Sequence, residues 1–281
     1  MHESLEDIFA LCDYRTNASK TDVEQNKNLE DTIRFGWDCQ ASCRKDGVSE
    51  NPATPRFWGS ISESDEIETA AATMRKTIGF GLNMRRQWAT CEIALDRFIK
   101  RADSVGVLIM TSGIVPNYKN RKLGKDVCRV FALADPQAPF VFVNANVSSG
   151  AQVFSLAHGL VHVWLGKSGI CGIWGKRSSG NHIERRCNAI AAEMLVPLQP
   201  FCAEHKGIAL ADDKVQKLAH IFKVTPMVIL GQMREAGILN PGEYRAARKV
   251  ELDRSRESEV SPKIPPQPTF SRRLQQVVPK D

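Results

Sequence analysis

The segment that most restricts the fold of this chain is FSLAHGLVHVWLG, which runs from Phe154 to Gly166. It is an apolar run that holds two histidines, His158 and His162, four residues apart. On an α-helix, residues i and i+4 are neighbours with Cβ atoms about 5–6 Å apart, so both imidazoles would point the same way. The segment therefore predicts a helix that offers two ligands to one tetrahedral zinc ion.

The segment differs from the usual zinc-peptidase motif, H-E-x-x-H, in which the glutamate after the first histidine is the general base. Gly159 occupies that position here. No acidic residue lies three or four positions from Gly159, and Glu193, on a later predicted helix, is expected on that helix's outer face. General acid–base catalysis is typically worth about 10²–10⁴-fold in rate. We therefore expect a metal site with little or no peptidase activity.

The composition is that of a globular chain without a membrane span. Its 281 residues are 42% hydrophobic and 25% charged, which suits one large domain or two smaller ones. No run of 18 apolar residues occurs, and the N-terminus, MHESLEDIFALC, lacks the features of a signal peptide. We therefore expect a cytoplasmic protein that does not contact membranes.

The cysteines and the net charge do not indicate a site of their own. Eight cysteines are spread along the chain without C-x-x-C spacing, which is typical of reduced thiols and does not indicate a cysteine-based zinc site. The net charge of +6 permits contact with nucleic acid. Much of that excess lies near the C-terminus, where we expect a solvated basic tail.

The order of helical and strand patterns predicts an α+β fold, with a small three-stranded sheet leading into the histidine helix. Polar residues 16–28 are expected to form a loop, and so are the glycine-, serine- and lysine-rich residues 167–181. A helix cap at Thr225, followed by Pro226, is expected near the C-terminus. The predicted elements are a short helix near 5–12, helices over 64–78, 83–104, 181–197 and two within 212–240, and strands over 105–110, 128–134 and 139–145.

Two stretches resemble the ImmA/IrrE family of zinc metallo-endopeptidases. AQVFSLAHGLVHVWLGKSGI is similar to that family's F-T-L-A-H-E-x-x-H helix, and IERRCNAIAAEMLVP to its E-x-x-A-N-x-F-A-A-x-L-L-M-P helix. The resemblance extends over about residues 65–250 and suits the longer members, which are associated with regulators and toxin–antitoxin systems. It implies a sheet packed against the histidine helix and the second, glutamate-bearing helix.

The resemblance also implies the ligands of a zinc ion. His158 and His162 match the two histidine ligands, Glu184 matches the acidic third ligand, and Gly159 stands where the catalytic glutamate belongs. Asn188 matches a packing position of the second motif. Three such ligands and an open position for water are typical of catalytic zinc.

Each of these residues also has a simpler interpretation. The two histidines could be core residues that are hydrogen-bonded inside a packed helix, and Glu184 could stabilise the N-terminus of its own helix. Trp164 and Trp174 are expected in the core. Three other histidines are expected to be loop, surface or packing residues: His182, His205 and His220.

The function that the resemblance implies is a zinc metallopeptidase-like protein that acts on a regulatory partner, such as a repressor or an antitoxin. The alternative is a non-catalytic protein that holds its partner without cutting it. DNA binding by the helical pair within 212–240 is a weaker alternative, in which Gln232 and Arg234 are the polar side chains that would contact the bases. If the chain is a peptidase that lost its base, Gly159→Glu is expected to restore cleavage.

Together these observations divide the chain into four parts. They are an N-terminal, partly irregular segment (1–63), an ImmA/IrrE-like metallopeptidase domain (64–205), a helical C-terminal subdomain (206–250) and a disordered basic tail (251–281).

Overall fold

The computed structural model describes residues 20–45, 57–172, 182–207, 213–258 and 266–278. Within these ranges the chain forms a five-stranded sheet with helices on both faces, which confirms the predicted α+β class. None of the helices in these ranges is both long enough and apolar enough to cross a membrane. In chain order the elements are α1 (Lys20–Lys45), α2 (Ile67–Ile78), α3 (Leu82–Arg85), α4 (Cys91–Ser104), β1 (Leu108–Ser112), β2 (Val130–Leu133), β3 (Phe140–Asn144), α5 (Ser149–Leu165), β4 (Gly169–Cys171), α6 (His182–Leu195), α7 (Leu198–Gly207), α8 (Lys214–Phe222), α9 (Pro226–Glu235), α10 (Pro241–Ser258), β5 (Thr269–Phe270) and α11 (Arg272–Val277).

The sheet has the strand order β4-β2-β3-β1-β5. Strands β1 and β3 pair in parallel, and the other neighbours are antiparallel. The three predicted strands are its three central strands. The prediction of a three-stranded sheet is wrong, however, because the edge strands have only three and two residues and so carry no periodic pattern of their own.

The side chains of the central strands alternate between two buried faces. In β3, Val141 and Val143 point towards α5, whereas Phe140 and Phe142 point to the opposite face, which α1 and α11 cover. This alternation follows from the two-residue period of a strand. At Gly36 the backbone of α1 comes so close to the Phe140 ring that an added Cβ would lie 2.8 Å from it.

Helix α5 is the predicted histidine helix, and nearly all of it is buried. It ends where the sequence indicates, because Gly166 adopts the left-handed conformation (φ 67°) and its N–H donates to backbone carbonyls of the last turn. One side of α5 packs on β2 and β3, and another side packs on α6. The helix therefore lies between the sheet and the second motif helix.

The expected loop over residues 16–28 is wrong from Lys20 onwards, where α1 begins. The side chains of Gln25 and Asn28 bind the backbone of a neighbouring loop: Gln25 accepts from the Gly124 N–H at 2.7 Å, and Asn28 donates to the Lys122 carbonyl at 3.0 Å. Tertiary contacts of this kind stabilise a helix that an amphipathic pattern does not reveal. The short helix predicted near residues 5–12 lies outside the described residues.

The single helix expected over 83–104 is two helices, α3 and α4. Thr90 separates them, because its backbone is extended and its Oγ1 accepts a hydrogen bond from the N–H of Ile93 at 3.4 Å. Arg85 ends α3 as a fully buried side chain that donates to the carbonyls of Leu195 and Phe222.

The C-terminal tail is more ordered than its composition suggests. Helix α10 continues to Ser258, and residues 266–278 form β5 and α11, so the expectation of disorder is wrong for these residues. Phe270 pairs with Met110 of β1, and Leu274 is completely buried. A few apolar side chains are enough to attach this polar segment to the sheet.

Helices α8, α9 and α10 form the predicted helical unit after the second motif. Thr225 lies at the N-cap of α9 and Pro226 in its first turn, as expected. Gln232 is only 3% exposed, and its amide donates to the Val196 carbonyl at 2.6 Å. This side chain therefore packs against α6 and does not project from α9 towards solvent.

Candidate metal centre

The two histidines of α5 lie side by side, as their spacing predicts. Their Nε2 atoms are 3.2 Å apart, and each residue is only 2% exposed. Both rings point towards α6 and the edge strand β4, because their nitrogens contact residues of those two elements. The imidazoles thus meet in a pocket largely closed to water.

Glu184 reaches the same pocket from the first turn of α6. Its Oε1 lies 3.1 Å from Nε2 of His162, and its Oε2 lies 3.3 Å from Nε2 of His158. The carboxylate is held there because α6 packs along α5. The three side chains that the sequence indicates as zinc ligands therefore converge on one point, although they come from two separate helices.

A fourth side chain, Cys171, completes the cluster. Its Sγ lies 2.8 Å from Nε2 of His158 and also contacts Oε2 of Glu184. One donor atom from each of the four residues lies within 4.8 Å of all the others. The sequence predicts a loop at Cys171 and does not indicate a cysteine ligand, because a lone cysteine on a three-residue edge strand has no spacing signature.

The far side of each imidazole is also hydrogen-bonded. Nδ1 of His158 lies 3.0 Å from the amide oxygen of Asn188, and Nδ1 of His162 lies 3.1 Å from the carbonyl of Lys167. Donation from Nδ1 to these oxygens leaves the Nε2 lone pairs directed into the cluster, which is the usual arrangement behind metal-bound histidines. The resemblance implies a packing role for Asn188, although its position four residues after Glu184 places it on the same face of α6.

The charges in the cluster are strongly coupled. Burial disfavours a charged His158, but the thiolate of Cys171 and the carboxylate of Glu184 outweigh burial and raise the pKa of His158 to about 10. The pKa of His162 is also raised well above its ordinary value. The same contacts overcome burial in the other direction and lower the pKa of Cys171 and of Glu184.

The two imidazoles and the carboxylate lie at distances that fit a zinc ion. Zinc bonds of about 2.0–2.1 Å to nitrogen and oxygen, arranged as a tetrahedron, place neighbouring donors about 3.3 Å apart. The distances from His162 Nε2 to His158 Nε2 and to Glu184 Oε1 are 3.2 and 3.1 Å. Imidazole, carboxylate and thiolate are all common zinc ligands, and the imidazoles must lose their protons when they bind the ion.

Gly159 faces the sheet, on a different side of α5 from the two histidines. A Cβ atom added there would lie 2.6 Å from Cγ1 of Val141 and 2.8 Å from Cγ2 of Val130. Both distances are shorter than real Cβ contacts. From the sequence, we expect Gly159→Glu to restore the general base. The structure opposes this, because α5 packs so closely on the sheet at Gly159 that a side chain there would clash with Val130 and Val141.

Glu193 does not lie on the outer face of α6, as the sequence suggested. It is only 6% exposed, and its carboxylate accepts a hydrogen bond from the backbone N–H of Leu198. Burial raises its pKa, although the Leu198 N–H and the charge of Arg75 act against this. Glu193 is therefore a buried acid that joins α6 to the start of α7, outside the cluster of donors.

The other aromatic and histidine predictions have simple outcomes. Trp164 is completely buried and stacks on Phe57 at 4.1 Å, so it belongs to the core. His182 is largely exposed and pairs with Glu63 at 3.5 Å, outside the cluster. His205 is half-buried and His220 is exposed. Trp174 lies outside the described residues.

Comparison with known proteins supports the resemblance. Residues 103–232 match the family model of the IrrE N-terminal-like domain (Peptidase_M78). This stretch runs from the end of α4 into α9 and includes Gly159 and all four donors of the cluster. No curated protein and no solved structure gives a significant match. The match supports the ImmA/IrrE family and a zinc metallopeptidase-like fold.

Proposed function

We propose that this chain is a metallopeptidase-like protein that binds zinc through His158, His162 and Glu184 and has little or no peptidase activity. The observation that carries the proposal is Gly159, which stands where H-E-x-x-H peptidases have their general base. The three donors fit a zinc ion by chemistry and by distance. The motif therefore keeps its two metal-binding histidines but lacks the glutamate that would transfer protons.

In an active site of this kind, zinc polarises the scissile carbonyl and lowers the pKa of a bound water. The chain's own residues orient the imidazoles through Asn188 and through the Lys167 carbonyl. No carboxylate in α5 is available to take a proton from water, because Gly159 has no side chain and α5 (SGAQVFSLAHGLVHVWL) contains no acidic residue. Loss of such a base is worth about 10²–10⁴-fold in rate.

We further propose that the partner is a regulatory protein, such as a repressor or an antitoxin, and that this chain holds it without cutting it. The resemblance to ImmA/IrrE proteins is the support for this choice of partner. Direct DNA reading by α9 is less well supported, since Gln232 is buried against Val196 and Arg234 stacks over Tyr244.

Elemental analysis of the purified full-length protein tests the metal site. We expect about one zinc per chain, and loss of that zinc in His158→Ala and in Glu184→Ala. Lys167→Ala is the matched control, because Lys167 is hydrogen-bonded to His162 through its backbone. A native protein without any bound metal would contradict the proposal.

Mixing the protein with the product of a neighbouring repressor gene tests the proposed partner and the proposed loss of peptidase activity. We expect a stable complex in which the partner stays intact, measured by size-exclusion chromatography and intact-mass spectrometry. Cleavage of the partner that stops when a chelator is added would show an active peptidase, and would overturn the claim of impaired catalysis.

A further inference from the structure

We infer that Cys171 is a fourth protein ligand of the same metal ion, so that the coordination sphere is closed to water. This inference rests on the proposed function, since it concerns the ion that His158, His162 and Glu184 bind. Structural zinc sites have four protein ligands, whereas catalytic sites have three and keep a position for water. With Cys171 bound, this site belongs to the closed class.

The position of Cys171 is set by the pairing of β4 with β2. Cys171 lies directly opposite Val130, and its carbonyl accepts a hydrogen bond from the Arg129 N–H at 2.8 Å. Directly opposed residues of antiparallel strands point to the same face of the sheet. Because Val130 packs under Gly159 of α5, the thiol of Cys171 also points to the α5 side.

Gly169 allows β4 to lie against the His162 ring. Gly169 and Cys171 are two residues apart and so share one face of the strand. A Cβ atom at Gly169 would lie 2.2 Å from Cε1 of His162, so any other residue would push the strand away. The close approach brings the Cys171 sulfur into contact with donor atoms from both α5 and α6.

The charges of the donors match those of a divalent cation. The thiol of Cys171 contacts the carboxylate of Glu184, and both groups are anions when they act as ligands. Two anions in contact in a buried pocket need two balancing positive charges. A divalent ion supplies that charge, with His158 and His162 as its two neutral ligands.

A cysteine nucleophile is the other chemistry that this geometry suggests, because Sγ of Cys171 lies 2.8 Å from Nε2 of His158. In that case His158 would be the base and Asn188 its orienting partner. That chemistry gives no role to Nε2 of His162 or to the carboxylate of Glu184, although these two groups lie 3.1 Å apart in the same cluster. The shared ion accounts for all four side chains.

Cobalt substitution tests the inference. The full-length protein is freed of metal with a chelator and loaded with Co²⁺, since a cobalt–thiolate bond gives a near-ultraviolet charge-transfer band that nitrogen and oxygen ligands do not give. The visible bands of Co²⁺ report binding whatever the ligands are. The variants are Cys171→Ser and two matched controls, Cys187→Ser, which is buried on α6 near His162, and Cys202→Ser, which is half-buried on α7.

We expect the charge-transfer band in the native protein, its loss in Cys171→Ser and its retention in both controls. We also expect Cys171→Ser to weaken zinc binding by more than about 10-fold, the least that loss of even an outer-shell partner usually costs. Zinc should protect Cys171 from iodoacetamide in the native protein, as mapped by mass spectrometry. If Cys171→Ser does not fold, this protection and the charge-transfer band of the native protein still show whether Cys171 binds the metal.

Three results would overturn the inference. Visible cobalt bands without a charge-transfer band would mean a site without sulfur, and would leave the proposed function standing. A band that Cys187→Ser removes and Cys171→Ser keeps would assign the sulfur to Cys187. A native protein that binds neither Co²⁺ nor Zn²⁺ would refute both this inference and the proposed metal site.

Discussion

Replacing Gly159 by alanine tests how closely α5 packs on the sheet. The added Cβ would lie 2.6 Å from Val141 Cγ1 and 2.8 Å from Val130 Cγ2, whereas carbon atoms in contact prefer about 3.5–4.0 Å. Such overpacking typically costs about 1–3 kcal/mol. Alanine also favours a helix over glycine by about 1 kcal/mol. We therefore expect Gly159→Ala to lower the free energy of unfolding by about 0–2 kcal/mol.

Gly231 provides the matched control. It lies inside α9, and a Cβ atom added there would meet no atom within 4 Å. Gly231→Ala should therefore show the gain in helix propensity alone and raise the free energy of unfolding by about 1 kcal/mol. The difference between the two variants is the steric cost at Gly159, which we expect to be about 1–3 kcal/mol.

Urea unfolding of the full-length, zinc-loaded protein measures both variants. Val141→Ala removes the methyl group nearest to the new Cβ, so Gly159→Ala should cost less in that background, with a coupling of about 0.5–3 kcal/mol. If Gly159→Ala stabilises the protein as much as Gly231→Ala does, the α5–sheet contact is not tight and the steric argument is refuted.

Gly159→Glu should destabilise the protein more than Gly159→Ala does. The glutamate has the same crowded Cβ atom, and its carboxylate would be buried between α5 and the sheet at a further cost in free energy. We expect a destabilised protein without recovered cleavage of its partner. Recovery of zinc-dependent cleavage in a folded Gly159→Glu variant would contradict this prediction. Asn188→Ala should weaken zinc binding by about 10–100-fold without removing a ligand, as measured by competition with a chelator. Zinc removal should lower the melting temperature, since an ion at about 100 times its Kd adds about 2.7 kcal/mol of stability; equal melting temperatures with and without zinc would speak against a site in the folded state. Burial raises the pKa of Glu193 in the folded state, so its ionised form destabilises the fold once the pH exceeds the ordinary carboxyl value. Glu193→Gln should therefore gain stability relative to the native protein as the pH rises from about 4, with a plateau above the folded-state pKa. Urea unfolding across this pH range checks the sign, and a difference independent of pH would show that the pKa is not raised.

Local patterns were enough to predict the centre of the fold. The apolar run of α5, its histidine spacing and Gly166 depend only on the geometry of one helix. Strands β2 and β3 were predicted because β-branched and aromatic residues are concentrated in them. Glu184 was found through its place in a second helical motif, and the structure brings it to the two histidines.

Contacts between distant parts of the chain were not predictable in this way. Strand β5 has only two residues, and it is ordered because it pairs with β1 along an existing edge. Helix α1 is polar over much of its length, but it covers the aromatic face that Phe131, Phe140 and Phe142 form. These segments lie outside residues 103–232, so the part of the chain that matches the family does not bury its own sheet alone.

The absent base and the nearby thiol have a common structural origin. Val130 blocks a side chain at position 159, and it is also the cross-strand neighbour of Cys171. A larger residue than glycine at 159 would move α5 away from β2, and His158 would then move away from the sulfur on the next strand. A general base is useful only where a metal-bound water exists to be deprotonated, and Cys171 occupies the place of that water if it binds the ion. On the proposed function, Gly159 and Cys171 would both affect the activation of water for peptide hydrolysis, and the packing of α5 on β2 connects the two residues.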